Sequence, residues 1–212
     1  MSDQRFVCEL FMLFLAGFDT SATTICNTLY ELALNHTIQN RLREEIRNMY
    51  IKSNGEITLD DINTMFYLDT ICKETMRKYP VIDIITRQAS SDYTFRNSQL
   101  TIPKGQVIHI PVYSIHFDPD IYPKPEIYDP ERFDEVARFR RSMHYMPFGF
   151  GPRSCIGERF GLLQLKMGLI TFLRNYKFDV CEKTPRKLKY ISTVLIQHPK
   201  DIYLKITKIE FT

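Results

Sequence analysis

Pro147-Phe148-Gly149-Phe150-Gly151-Pro152-Arg153-Ser154-Cys155-Ile156-Gly157 sets one cysteine in a loop whose other residues all make sense as its support. Gly149 and Gly151 give backbone freedom for a tight loop that lies close to a flat partner, and Pro147 and Pro152 stiffen its ends. Apolar residues at helical spacing follow from Cys155 to Ile170, so the sulfur is expected at a helix N-terminus. Unpaired N–H groups and the helix dipole there favour the thiolate, the form that ligates a metal, and Arg153 adds a cation two residues away. A buried free cysteine and half of a disulfide are the alternatives for Cys155. Six fixed residues in ten positions arise by chance on the order of 10⁻⁸ per start at ordinary usage, which shifts the weight to a built site.

Working outward, 212 residues with 44% hydrophobic and 13% aromatic content suit a globular domain with a sizeable core. The net charge of +3 comes from interspersed acids and bases, without the basic stripe or tail that nucleic-acid binding requires. The five cysteines are odd in number, widely spaced and lack a Cys-x-x-Cys, which argues against a disulfide scaffold or a zinc site. Asn35-His36-Thr37 matches a glycosylation sequon, read here as coincidence beside cysteines that look reduced. No signal peptide, lipidation signal or internal repeat is visible.

The run from Cys8 to Phe18 is too short to span a bilayer and reads as part of a buried helix over about Arg5 to Leu34. Gly17 in mid-helix implies close approach by another element. Asp19 and Thr20 are polar inside an apolar helix and need partners; a local patch or a threonine back-bond is the plain reading. Asn35 is placed to cap a helix over 37–50, where Arg41 and Glu45 form a weak pair on a solvated face. Thr58 to Asp61 reads as a capping box, and Tyr67 to Lys78 as a helix stopped by Pro80. Glu74 and Arg77 share a face of it, as many exposed pairs do. Strands are expected at 92–95, 99–102 and 106–112, forming one small sheet, and at 189–196 and 201–206. His109 and His116 read as structural.

The string Phe148-Gly149-x-Gly151-x-Arg153-x-Cys155-x-Gly157 resembles the haem-binding loop of the cytochrome P450 monooxygenases. A cysteine thiolate is the axial iron ligand there, pushing electron density onto iron and favouring O–O cleavage. The resemblance assigns the metal-ligand role to Cys155, a propionate contact to Arg153, packing under the macrocycle to Phe148, and the other propionate to Arg87. Ala16-Gly17-Phe18-Asp19-Thr20 looks like the family's central helix, in which Thr20 would hold oxygen and a water and Asp19 would relay protons. Glu74, Arg77 and the Arg132 of Asp129-Pro130-Glu131-Arg132-Phe133 would form a buried ion triad behind the loop. Residues 81–86, with Asp83 and Thr86, and the turn at Ser192 and Thr193 would face substrate, and residues 118–141 resemble the family's meander.

The four motifs stand in the family's order across nearly all of the chain, and in detail look most like the insect microsomal family 6 group. The resemblance implies a mainly α fold with small β-sheets, of which this chain would be the C-terminal half, running from the long central helix to a C-terminal hairpin. It also implies haem b as cofactor and insertion of one oxygen atom into a lipophilic substrate, xenobiotic or endogenous. Electrons would come from NADPH through cytochrome P450 reductase, with cytochrome b5 as a further partner, docking near Arg138, Arg140, Arg141 and Lys166. An N-terminal half would carry the membrane anchor, with the whole protein on the cytosolic face of the endoplasmic reticulum. A haem-thiolate rearrangement without a reductase, and a truncated, non-catalytic haem- or partner-binding fragment, are the alternative readings.

Overall fold

Helix α1 (Asp3–Leu34) and helix α6 (Glu158–Asn175) cross through small residues, and that crossing organises the rest. A Cβ at Gly17 would lie 4.0 Å from Phe160, one at Gly161 would lie 4.0 Å from the Ser21 hydroxyl, and one at Gly168 would lie 2.8 Å from Ile25 Cδ1. Gly17, Ser21 and Ile25 are four residues apart and meet Phe160, Gln164 and Gly168 at the same interval, so the two helices run in the same direction with four-residue ridges in register. The Ser21 hydroxyl donates to Gln164 Oε1 at 3.1 Å across the crossing.

These findings come from a computed structural model that describes residues 3–134, 143–192 and 196–210. Helices α2 (His36–Lys52), α3 (Leu59–Thr64), α4 (Phe66–Lys78) and α5 (Val112–His116) complete the helical part. The second half of α1 packs with α2, α4 and α6 around Leu32, Leu42, Ile46, Leu68, Ile71 and Leu169, all fully buried. Buried Gln39 ties this core together: its amide donates to the Leu32 and Phe178 carbonyls and accepts from the Phe178 N–H.

Four antiparallel ladders flank the helices. They pair β1 (Ile84–Gln88) with β4 (Val107–Pro111), β2 (Tyr93–Thr94) with β3 (Thr101–Ile102), β5 (Tyr176–Val180) with β8 (Leu204–Lys208), and β6 (Lys189–Ser192) with β7 (Gln197–Lys200). The mainly α fold with small sheets is as expected, and several local expectations change. The single sheet expected over 92–112 is two ladders, and β1 lies in a stretch assigned no strand. The strand expected at 189–196 is β6, which ends at Ser192 and pairs with Gln197–Lys200 rather than with 201–206, while 204–208 pairs with the strand leaving α6. Strand period is the same whichever partner is chosen, so alternation alone did not name the partners.

The stretch expected to be buried, Cys8 to Phe18, is exposed, with Phe11, Phe14 and Phe18 open on α1. Residues 4–34 are long and apolar enough to cross a membrane by length and composition, but burial begins at Ser21 and the second half is core. Asn35 occupies the N-cap position of α2 without capping it; its amide donates back to the Glu31 carbonyl and carboxylate. The Thr58–Asp61 capping box forms as expected.

Gly168→Val sets the gain in helix propensity over glycine, under about 1 kcal/mol, against overpacking of about 1–3 kcal/mol where Ile25 already lies within 3 Å of a Cβ. The expected result is a net loss of about 1–2 kcal/mol in urea unfolding, while Gly168→Ala, which displaces only the flexible end of Ile25, stays near neutral.

Candidate functional site

Glycine chemistry shapes the loop that carries the cysteine. Gly149 at φ +72° and Gly151 at φ +75° lie in the left-handed region, and a Cβ at Gly149 would meet Ile85, Arg87 and Ser154 within 4.0 Å. The chain then makes a single 3-10 turn over Gly151–Arg153, and the Cys155 N–H donates to the Phe148 carbonyl at 2.9 Å, closing the loop. Phe148 is half-buried against the helical core. Cys155 is a free thiol facing outward, with Ile156 beside it 98% exposed.

The sulfur does not sit in the first turn of the helix. Gly157 is the N-cap and Glu158 the first helical residue of α6, so Cys155 stands two residues before the cap. A Cβ at Gly157 would lie 3.8 Å from the sulfur. Cys72, by contrast, is wholly buried, and burial pushes its thiol up to about 12, which leaves it inert.

Arg87 lies on β1 against the loop, its guanidinium donating to the Thr86 carbonyl at 2.9 Å and to the Arg153 carbonyl at 3.2 Å. Arg153 is exposed at the loop's tip. Along β1, Ile85 and Arg87 turn toward the loop, whereas Thr86 is exposed and meets His109 Nδ1 at 3.1 Å. Asp83 belongs to a different place, a cavity of about 650 Å³ between the end of α1, the end of α4 and the β6–β7 hairpin, where it accepts from Gln197. The expected substrate wall is therefore split. Thr193 and the side chain of Ser192 lie outside the described residues, as do Arg138, Arg140 and Arg141.

Behind the loop the predicted ion triad is assembled. Arg77, 0% exposed, donates from Nε and Nη2 to the two oxygens of Glu74 at 2.7 and 2.8 Å. Its remaining donors reach the His116 carbonyl at 3.0 Å and the Pro125 carbonyl at 2.8 Å. Glu74 also accepts from the Asp129 N–H at 3.0 Å and lies 3.5 Å from Arg132 Nε. Arg132 in turn donates to the Pro123 and Lys124 carbonyls. A bidentate fork in which both carboxylate oxygens and the outer guanidinium nitrogens find partners is the geometry in which buried charges persist.

His116 couples this network to the loop. The Met146 N–H points at its Nε2 at 3.1 Å, which makes that nitrogen the acceptor, so Nδ1 carries the proton and donates to the Arg77 carbonyl at 3.1 Å. Burial, joined by the Arg77 charge, drags the imidazole down to about 4 despite its hydrogen bond to a carbonyl. His116 is thus a structural histidine, and its hold on the residues just before the cysteine loop has no signal in the sequence.

On α1, Thr20, Thr24 and Thr28 each donate a hydroxyl to the carbonyl four residues earlier, the first to Ala16 at 2.6 Å. The carboxylate of Asp19 lies 3.3 Å from His198 Nε2 on the hairpin, a partner with no sequence signal. Lys166, expected as a docking contact, is buried and pairs with Asp69 at 2.8 Å. The Arg41–Glu45 pair also dissolves: Glu45 accepts the Tyr67 and Leu68 N–H groups at the start of α4, and Arg41 pairs with Glu131.

The family model described as Cytochrome P450 matches residues 1–206. The chain belongs to the cytochrome P450 family. It is 44% identical over 212 residues to "Probable cytochrome P450 6a13" of Drosophila melanogaster, covering 99% of this chain and 43% of that protein. It is 41% identical over 207 residues to "Cytochrome P450 6A1" of Musca domestica, covering 95% of this chain and 41% of that one. The chain thus spans about two-fifths of the length of these cytochromes P450. Family membership implies a haem cofactor, and the residues present fit one: an outward-facing free thiol, two glycines that keep side chains off the loop, and guanidinium groups at Arg87 and Arg153 beside it.

The depressed His116 imidazole gives a pH dependence with a definite sign. Its folded value lies below the unfolded value of about 6.5, so its contribution is complete above that pH and is lost as pH falls through about 4. Unfolding free energy is expected to fall by about 3 kcal/mol across that window in the parent, and His116→Gln is expected to flatten the slope in urea titrations at a series of pH values.

Proposed function

We propose that this chain carries the iron-binding and oxygen-activating side of a haem-thiolate monooxygenase that inserts one oxygen atom into a lipophilic substrate. The observation that carries the proposal is the exposed Cys155 thiol in a glycine-shaped loop, held from behind by a wholly buried Glu74–Arg77 fork. Haem b, when bound, supplies the activation of molecular oxygen. Cys155 would hold its iron through the thiolate, Phe148 would pack beside the sulfur, and Arg153 and Arg87 would hold its carboxylates, Arg87 through the donors that it does not commit to the loop.

On α1, the Thr20 hydroxyl donates its hydrogen bond to the Ala16 carbonyl, which leaves its oxygen to accept from a water and so to orient it. Asp19 is the group of the pair that carries protons. Electrons come from NADPH through cytochrome P450 reductase, with cytochrome b5 as a second donor, and the protein works on the cytosolic face of the endoplasmic reticulum. Family membership and the motif order support this assignment, as does the reading of the chain as the family's C-terminal half. Lys166, being buried against Asp69, is removed from the docking face. The reading as a non-catalytic fragment has one observation in its favour, the open apolar face of α1 at Phe11, Phe14 and Phe18.

The test is the visible spectrum of the haem-loaded protein, reduced and exposed to carbon monoxide. A red-shifted Soret band of the thiolate type, lost in Cys155→Ala, is expected; the same band in the variant, or none in the parent, would overturn the assignment. With that band intact, Thr20→Ala is expected to lower product formed per NADPH by about tenfold or more.

A further inference from the structure

Asp19 and Thr23 stand four residues apart on one face of α1, and a single imidazole bridges them. His198 Nε2 lies 3.3 Å from Asp19 Oδ2, and its Nδ1 lies 3.5 Å from the Thr23 hydroxyl. Both contacts are satisfied by one neutral tautomer, with Nε2–H donating to the carboxylate and Nδ1 accepting from the hydroxyl. The hold therefore needs no charge on the ring.

We propose that His198 is the positioning residue for Asp19, fixing the orientation of the proton-carrying carboxylate; the role rests on the monooxygenase reading above. His198 is itself anchored by the hairpin. It faces Ile191 in the β6–β7 ladder, the adjacent Gln197 donates its N–H to the Val81 carbonyl and its amide to Asp83, and Tyr190 donates to Asn27 on α1. A group on a paired strand whose adjacent residue is pinned through both backbone and side chain places a partner more tightly than one on a loop. Asp19 needs that placement, because its side chain is about one-third exposed and no other ion pair reaches it among the described residues. The proton of Thr20 is engaged by the Ala16 carbonyl, so the neighbouring threonine does not hold the carboxylate by donation. A side chain in that state keeps its rotamer freedom unless a partner removes it. His198 thereby joins the end of the chain to the centre of the long helix.

The experiment uses the haem-loaded protein with reductase and ethoxycoumarin as a lipophilic probe. His198→Phe is expected to lower product per NADPH about tenfold with the thiolate Soret band intact. His198→Gln, whose amide keeps a donor where Nε2 stood, is expected to recover most of it. Asp19→Asn with His198→Phe is expected to be no worse than Asp19→Asn alone, since both remove one unit. A second readout needs no turnover: the two substitutions are expected to lower the thermal midpoint by about 2–4 °C each, and non-additively. Full coupling in His198→Phe, or additive losses in the double variant by either readout, would overturn the role. A parent without a thiolate band would overturn the monooxygenase reading and this role together, and the thermal cycle would still report whether the pair is made.

Discussion

Two opposite charges with no access to water, Arg77 and Glu74, are what the arrangement around Cys155 depends on. Each alone would be strongly unfavourable in the helical core, and the fork survives because both Glu74 oxygens and the outer guanidinium nitrogens find partners. Those partners are backbone groups of segments far apart in sequence. Arg77 gathers the carbonyls of His116 and Pro125, and Glu74 gathers the Asp129 N–H and Arg132. The pair thus converts an irregular proline-rich stretch into a rigid backing. His116 passes that rigidity on, fixed to Arg77 by one ring nitrogen and receiving the Met146 N–H with the other, two residues before the cysteine loop begins at Phe148.

The second constraint is the close crossing of α1 and α6. Small residues at Gly17, Gly161 and Gly168 bring the helix that follows Cys155 against the helix that holds Asp19 and Thr20. One crossing therefore joins the helix that follows the cysteine loop to the helix that carries the proposed proton-handling pair. The same helix leaves Phe11, Phe14 and Phe18 open, an apolar area that invites coverage.

What the sequence disclosed follows from the range of the interactions. The loop glycines, the Thr58 capping box, the stop at Pro80 and the Glu74–Arg77 spacing are local, and each was legible in a few residues. Arg132 joined them only through the resemblance to a known family. Contacts set by tertiary packing were not legible: Glu45 turning from Arg41 to cap α4, Lys166 turning inward to Asp69, and His198 reaching Asp19 across 179 positions of chain each depend on which elements end up adjacent. The hairpin failed for a related reason. Residues 189–196 and 201–206 both alternate, and nothing in an alternating pattern says that 189–192 pairs with 197–200 while 204–208 pairs with 176–180. The exposed first half of α1 shows the converse, since an apolar run states what a helix would bury, not what is present to bury it.

The central claim is that the buried Arg77–Glu74 fork holds the cysteine loop through His116. Amide hydrogen exchange in Arg77→Leu addresses it most directly, because the N–H groups of Met146 and Cys155 report on the two bonds that close the loop. Removing the bidentate partner of buried Glu74 costs about 3–5 kcal/mol, so these two amides are expected to exchange more than about 100-fold faster, well beyond the change at Leu42 and Ile46 in the distant core. Equal acceleration at all four, or unchanged protection at Met146 and Cys155, would contradict the account.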